Sequence, residues 1–204
     1  MPDLTALRGA LADQAARRAL CGQRPGPVLP RLRLLTTAEL LCPAPPPACA
    51  ADAAGELDAL CRAAAEMLRR RPGWLAARLD DGPLPVLARP ALLQAAVLAW
   101  LRCALQAGAD GVRLCCRAAG CAAVLELAGG ADPRGDAAAL LARLAGEGGG
   151  SAVFAARGRF AAAVRLPAAD GLPLRPAAAP ADLLADRYSL PRLYLDGFCP
   201  EPEQ

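Results

Sequence analysis

The chain contains no histidine, lysine, asparagine or isoleucine, so all 23 of its basic side chains are arginine. Chemistry that needs an imidazole, a lysine amine or an asparagine carboxamide therefore cannot occur in it, and a mixed Cys/His zinc site is excluded. A composition heavy in Ala, Arg, Pro and Gly suggests a genome bias. That bias accounts for the missing lysine, asparagine and isoleucine better than for the missing histidine. Aromatic residues are only 3%, which argues against a surface on which bases stack. Charge of one sign is scarce too: the formal balance is +3, spread along the chain, with no basic stripe pointing to nucleic acid. The hydrophobic fraction of 55% looks membrane-like, but much of it is alanine, and no uninterrupted run reaches the ~18–20 strongly apolar residues of a spanning helix. The first residues, MPDLTALRGALADQAARR, put acids and arginines where a signal peptide has an apolar centre. The expectation is a cytoplasmic protein with neither a nucleic-acid nor a membrane partner.

Cysteine, by contrast, is plentiful at nine residues. None forms a C-x-x-C pair, and several lie in apolar runs, so most read as small buried hydrophobes. Cys115 and Cys116 are adjacent and on a strand would face opposite sides, a poor arrangement for sharing a metal. No metal ligand set is expected.

Residues 3–21 have helical spacing (Leu4, Leu7, Leu11, Ala15, Leu20) and are stopped by the proline- and glycine-rich GQRPGP. Helical character resumes over 30–41. PAPPPACAAD then marks a linker, the clearest internal boundary. An amphipathic helix is expected over 56–71 and a strand over 74–79. The stretch 90–108 opens with proline at a first-turn position, ends at a glycine and is apolar nearly all round, as a central buried helix should be. Two strands are expected at 111–118 and 122–129, a helix at 135–147, and a hairpin of 151–156 with 159–167 turning at Arg157-Gly158. Strand pairs alternating with helices, joined by short β–β links, indicate an α+β sandwich rather than a doubly wound sheet.

Three stretches in this order carry a family likeness: LPVLARPALLQAAVLAWLRCALQAGADGVRL, AAVLELAGG, and GDAAALLARLAGEGGGSAVFAARGRFAAAVRLP. Together they resemble the asparagine-box helix, the strand into the first glycine box, and the second glycine box with its closing hairpin. These are the elements of the ATPase domain shared by histidine kinases, gyrase B and MutL. The resemblance covers about 56–167. It implies a two-layer α/β sandwich of the histidine-kinase ATPase (Bergerat) type with an N-terminal helical segment. The implied organisation is a helical hairpin over 1–42, either a dimerisation remnant or a surface cap, a linker over 43–55, the ATPase-like domain over 56–167 and a proline-rich tail over 168–204.

The resemblance also implies where the family's chemistry should sit, and there the residues depart from it. The family's asparagines, one of which holds the magnesium ion bridging the triphosphate, fall on Ala99 and Cys103, which offer no hard oxygen. The first glycine box uses an aspartate to accept the adenine amino group, and its aligned stretch begins Gly129-Gly130-Ala131. Only about five residues separate it from the second box, too few for a lid. That box survives as Gly135 followed by Asp136, whose charge would repel a phosphate at a helix N-terminus. The phosphoacceptor histidine is absent. The degenerate pocket positions are thus Ala99, Cys103, Gly129, Ala131 and Gly135, with no catalytic residue and no cofactor expected. The emptied cleft is expected to collapse or to leave a shallow apolar groove lined by Ala99, Cys103, Leu127 and Ala131. The expected role is non-catalytic: a signalling protein that binds a response regulator or a kinase, with a homodimer as one possible state. The alternative is an unorthodox site still binding ATP with magnesium.

Overall fold

The computed structural model describes residues 4–20, 28–69, 71–130, 132–154 and 161–198. The N-terminal helices α1 (Leu4–Leu20) and α2 (Val28–Leu41) lie against each other. Arg8 near the start of α1 pairs with Glu39 near the end of α2 at 3.0 Å, so the two run antiparallel. Pro30 does not interrupt α2, because amide groups in the first turn have no intrahelical acceptor to lose.

The expected linker 43–55 is shorter than its composition suggested. Residues Ala50–Asp52 form β1, and α3 runs from Ala53 to Met67. Alanine is permissive in both states, and what decides here is pairing. β1 joins β3 (Pro85–Val86) antiparallel, and Asp52 Oδ1 accepts a hydrogen bond from the Leu84 amide at 3.0 Å. After β2 (Leu75–Leu79) and β3 comes α4 (Pro90–Gln106), followed by β4 (Val112–Ala118), β5 (Ala122–Gly129), α5 (Asp136–Glu147), β6 (Ser151–Phe154) and β7 (Ala162–Pro167). The turn expected at Arg157-Gly158 lies outside the described residues, but β6 and β7 pair antiparallel as a hairpin requires.

The main sheet has the order β2-β4-β5-β7-β6, mixed because β2 and β4 are parallel and the other pairs antiparallel. A parallel pair needs a long crossover, which the segment containing α4 supplies. Leu114, Cys116, Leu125, Leu127, Val164 and Leu166 point to one face and share a single core with α3, α4 and α5. The other face is open. Among the described residues Arg78, Arg113, Arg117 and Arg165 are exposed there, against one carboxylate of these strands, Glu126, which pairs with Arg117.

The helix read as central is central. Leu92, Leu93, Val97, Leu98, Trp100 and Leu101 are all fully buried, and its alanines let neighbouring elements approach closely. No helix among the described residues is long and apolar enough to cross a membrane.

Of the expected proline-rich tail 168–204, the described part, 168–198, is packed on the domain. β8 (Leu174–Arg175) adds parallel to β1, α6 (Pro180–Ala185) packs on α3, and α7 (Leu190–Leu195) with its 3-10 continuation Asp196–Phe198 packs on α4. Tyr194 and Leu195 are fully buried. Prolines at the first turns of α6 and α7 start helices here rather than prevent them.

The cysteine expectation also needs correction. Of the described cysteines only Cys61 and Cys116 are buried, and burial pushes both thiols up to about 12. Cys42, Cys49 and Cys121 are exposed because they fall at a helix end, in the linker and in the β4–β5 turn, where no core surrounds them.

Glu56, on α3, is 2% exposed and accepts a 2.6 Å hydrogen bond from Gln94 Nε2 on α4. Desolvation outweighs that bond and the attraction of Arg175, and raises its pKa above the ordinary 4.5. The folded chain therefore holds this proton more tightly than the unfolded one. The contribution to stability is complete below pH 4.5 and is lost as pH rises through the folded value. Glu56→Gln should thus gain stability relative to the parent as pH rises from about 4.5 to about 7. Urea titrations at the two pH values measure this, and a pH-independent difference would contradict it.

Candidate functional site: the cleft between α4 and α5

The carboxyl half of α4 meets the start of α5 around a cavity of about 260 Å³. Ala99 and Cys103, one turn apart on α4, form part of its wall, and Arg102 and Gln106 project from the same helix. Arg134, Asp136 and Ala137 face them from the beginning of α5. Arg33 of α2 and Tyr194 of α7 complete the lining. Two of the expected positions, Ala99 and Cys103, therefore do sit together, beside the helix start that Gly135 opens.

Gly135 is the N-cap of α5, with φ +53°, a conformation that glycine adopts at little cost. Asp136 at the first helical position faces the α5 macrodipole favourably and so occupies, in charge, the place an incoming anion would take. Gly129 is elsewhere: it borders a separate hollow with Trp74 and Gly111. The pair Gly129-Gly130 has a steric cause in this chain. Both have positive φ, and a Cβ on Gly130 would stand 2.6 Å from that of Ala104, one on Gly129 2.7 Å from the Gly111 carbonyl oxygen. Ala131 lies outside the described residues.

The cleft has neither collapsed nor become apolar. Leu127, expected on its wall, is fully buried in the core beneath the sheet. Three guanidinium groups and one carboxylate line the cavity instead. The polar side chains do not point into a vacuum, because α7 and α2 bring partners. Arg102 Nη1 donates to the Tyr194 carbonyl at 2.8 Å, and its guanidinium lies 5.3 Å from the centre of the Phe198 ring. Tyr194 OH and Thr37 Oγ1 are 2.8 Å apart in the core. Burial, then the neighbouring Arg33, lowers the Arg102 pKa, and burial raises that of Tyr194. Arg102 nonetheless stays protonated and the tyrosine neutral, since both begin far from neutrality.

Guanidinium groups cannot serve as bases. Among the described residues Cys103 makes one long contact, 3.9 Å from Sγ to the Arg134 carbonyl. Magnesium-bound ATP does not fit the donor set: Ala99 and Cys103 supply no hard oxygen, and Asp136 is the one carboxylate lining the cavity. Among the described residues no group of three His, Cys, Asp or Glu could hold a metal ion.

Reading the residues alone missed Arg33, Arg102, Arg134 and Tyr194. Arg102 had a signal, since it lies three positions from Ala99 on the same helix. Tyr194 had none, because its segment has no pattern linking it to α4.

No protein-family model and no curated protein matches the sequence. Among solved structures the chain is similar to the ATP-binding domain of PrrB from Mycobacterium tuberculosis, at 25% identity over 54% of this chain and 92% of that one, TM-score 0.41. It is similar to the histidine kinase AdeS of Acinetobacter baumannii at 10% identity over 80% and 96%, TM-score 0.49. It is similar to a histidine kinase from Burkholderia phymatum at 18% identity over 81% and 87%, TM-score 0.44. These three solved structures are thus one ATP-binding domain and two histidine kinases.

Proposed function

We propose that the chain is a degenerate histidine-kinase-type ATPase domain that acts in signal transduction by protein–protein contact and not by catalysis. One observation carries this reading: Ala99 and Cys103, where the resemblance expects oxygen ligands, stand in the wall of the cleft between α4 and α5, which Tyr194 of α7 also lines. The resemblance read from the sequence supplies the signalling context, and a response regulator or a kinase is the partner class it suggests. The open sheet face, with four arginines against one glutamate, offers an acidic partner a complementary surface.

A second reading, residual nucleotide binding without turnover, is favoured by Arg33, Arg102 and Arg134 around the cavity. Incubation with labelled ATP and magnesium should leave no phosphate on the protein and release none to solution. Thermal melting should shift by less than about 1 °C at millimolar Mg-ATP. A ligand present at 100 times its dissociation constant would add about 2.7 kcal/mol and move the midpoint by several degrees. Phosphate release or labelling would overturn the non-catalytic reading, and a large shift alone would select the second.

A further inference from the structure

The face of the main sheet turned away from the helices carries the positive excess of the chain. Its four arginines and one glutamate leave three positive charges, equal to the formal net charge of the whole sequence. Strand register sorts these charges into a pattern. Val124 on β5 pairs with Arg117 on β4 and with Arg165 on β7, so a partly buried apolar residue stands in one row between two exposed arginines. Neighbouring strands lie about 4.7–4.9 Å apart, which sets the two arginines roughly 9.5 Å from each other. Strand side chains stand nearly perpendicular to the sheet, so the guanidinium groups keep about this separation. Glu126, diagonal to Arg117, meets it at 3.0 Å, yet 54% of the arginine side chain stays exposed. Arg165 pairs with no carboxylate among the described residues. Cys115 and Ala163 in the next row, and Ser151 at the end of this one, are small and leave the approach open.

An α-helix laid across the strands matches this spacing. Residues seven apart recur on one helix face about 10.5 Å along the axis, and a residue three or four on lies midway. An acid at each end of such a heptad reaches Arg117 and Arg165 while a small apolar residue between them covers Val124. A nucleic-acid backbone fits less well, because a phosphate about every 3.4 Å along each strand would set charge over Val124 too. We infer that the open sheet face docks an amphipathic helix of a partner protein, its carboxylates one heptad apart on Arg117 and Arg165 and a small apolar residue on Val124. This rests on the reading of the chain as a module that acts by protein contact, and gives that contact a surface and a chemistry.

The probe is a capped helical peptide of about 20 residues, based on alanine and glutamine, with two glutamates one heptad apart and a leucine midway. A control of the same composition has its glutamates five positions apart, which turns them about 140° from each other around the helix. Each is titrated into the isotope-labelled full-length chain at low salt, where screening is weak, and followed by amide NMR. The heptad peptide should give saturable shifts centred on residues 115–117, 124–126 and 163–165, and the control should bind at least about threefold more weakly. Arg165→Gln should weaken the heptad peptide about two- to fivefold, and Arg113→Gln, on the same face but outside the row, by less than about twofold. Glu126→Gln removes a competitor for Arg117 and should tighten binding about twofold. These surface substitutions should leave the melting temperature within about 2 °C of the parent. Absence of peptide binding would leave the lack of turnover with Mg-ATP untouched, so the two readings fail separately. The proposal is overturned by any of five results: no saturable shift, a control peptide that binds as tightly, Arg113→Gln weakening binding as much as Arg165→Gln, Glu126→Gln weakening it, or a DNA duplex shifting the same amides at lower concentration, which would assign the face to nucleic acid.

Discussion

A chain truncated after Ser189 loses its cooperative thermal transition and its dispersed amide spectrum. The segment removed contributes Leu193, Tyr194 and Leu195 to the core, two of them fully buried and the third 4% exposed. Burying side chains of this size is worth about 1.5–3 kcal/mol each, so together they approach the roughly 5–15 kcal/mol that holds a whole domain. The truncation also strands groups left behind: Arg102 loses the Tyr194 carbonyl, and Thr37 loses the tyrosine hydroxyl. Two point variants grade the effect. Tyr194→Ala should cost about 3–5 kcal/mol in urea unfolding, and Tyr194→Phe only about 1–2 kcal/mol, from the unpaired Thr37 hydroxyl. A truncated chain melting within a few degrees of the parent would show that α7 is a loosely attached cover.

Glu147→Ala should lower stability by about 2–4 kcal/mol in the same assay. The side chain is 7% exposed at the end of α5 and faces Arg89 at 2.5 Å and Arg143 at 3.6 Å. Each arginine also reaches a carbonyl at the end of α2: Arg89 Nη2 donates to Leu40 O at 2.7 Å, and Arg143 Nη2 to Cys42 O at 3.4 Å. One carboxylate thereby ties together the start of α4, the end of α5 and the end of α2. A carboxylate in the last turn of a helix is unfavourable by itself, so the two guanidinium groups must more than offset the α5 dipole. Losing it leaves two largely buried cations without an anion, the costly way to break a buried pair. The figure is set below the fully buried range because Arg89 and Arg143 keep 23% and 27% of their side-chain surface exposed. Glu147→Gln should fall between the parent and the alanine variant. A loss under about 1 kcal/mol for alanine would mean that the arginines find solvent instead.

Helical periodicity and glycine punctuation were enough to place α4, α5 and the β4–β5 pair to within about two residues. The reason is that these elements bury one continuous face, and the face is written into the spacing of apolar residues such as Leu93, Val97 and Leu101. What could not be read was anything decided by pairing between distant segments. β1 and β8 are three and two residues long, with no alternation to betray them, and they exist because they find each other and β3. The same holds for the cleft. Losing asparagine suggested a space emptied of polarity, yet Arg33 and Tyr194, from helices at opposite ends of the chain, restore it. Local pattern reported the loss at Ala99 and Cys103, and only the fold reported what replaced it.

The hydrogen bond between Thr37 and Tyr194 spans 157 residues of sequence. During synthesis α2 and α4 are made well before the side chain that will lie between them. At about 5–20 residues per second, the apolar faces of α2 and α4 wait several seconds for α7 after α4 is complete. Long-range closure of this kind also slows refolding from denaturant relative to a helical bundle of equal size. The nascent chain therefore passes through an interval in which Leu32 and Ala99, which share cavity walls with Leu193 and Tyr194 in the finished fold, lack those neighbours, and holdase chaperones would find their substrate in that interval.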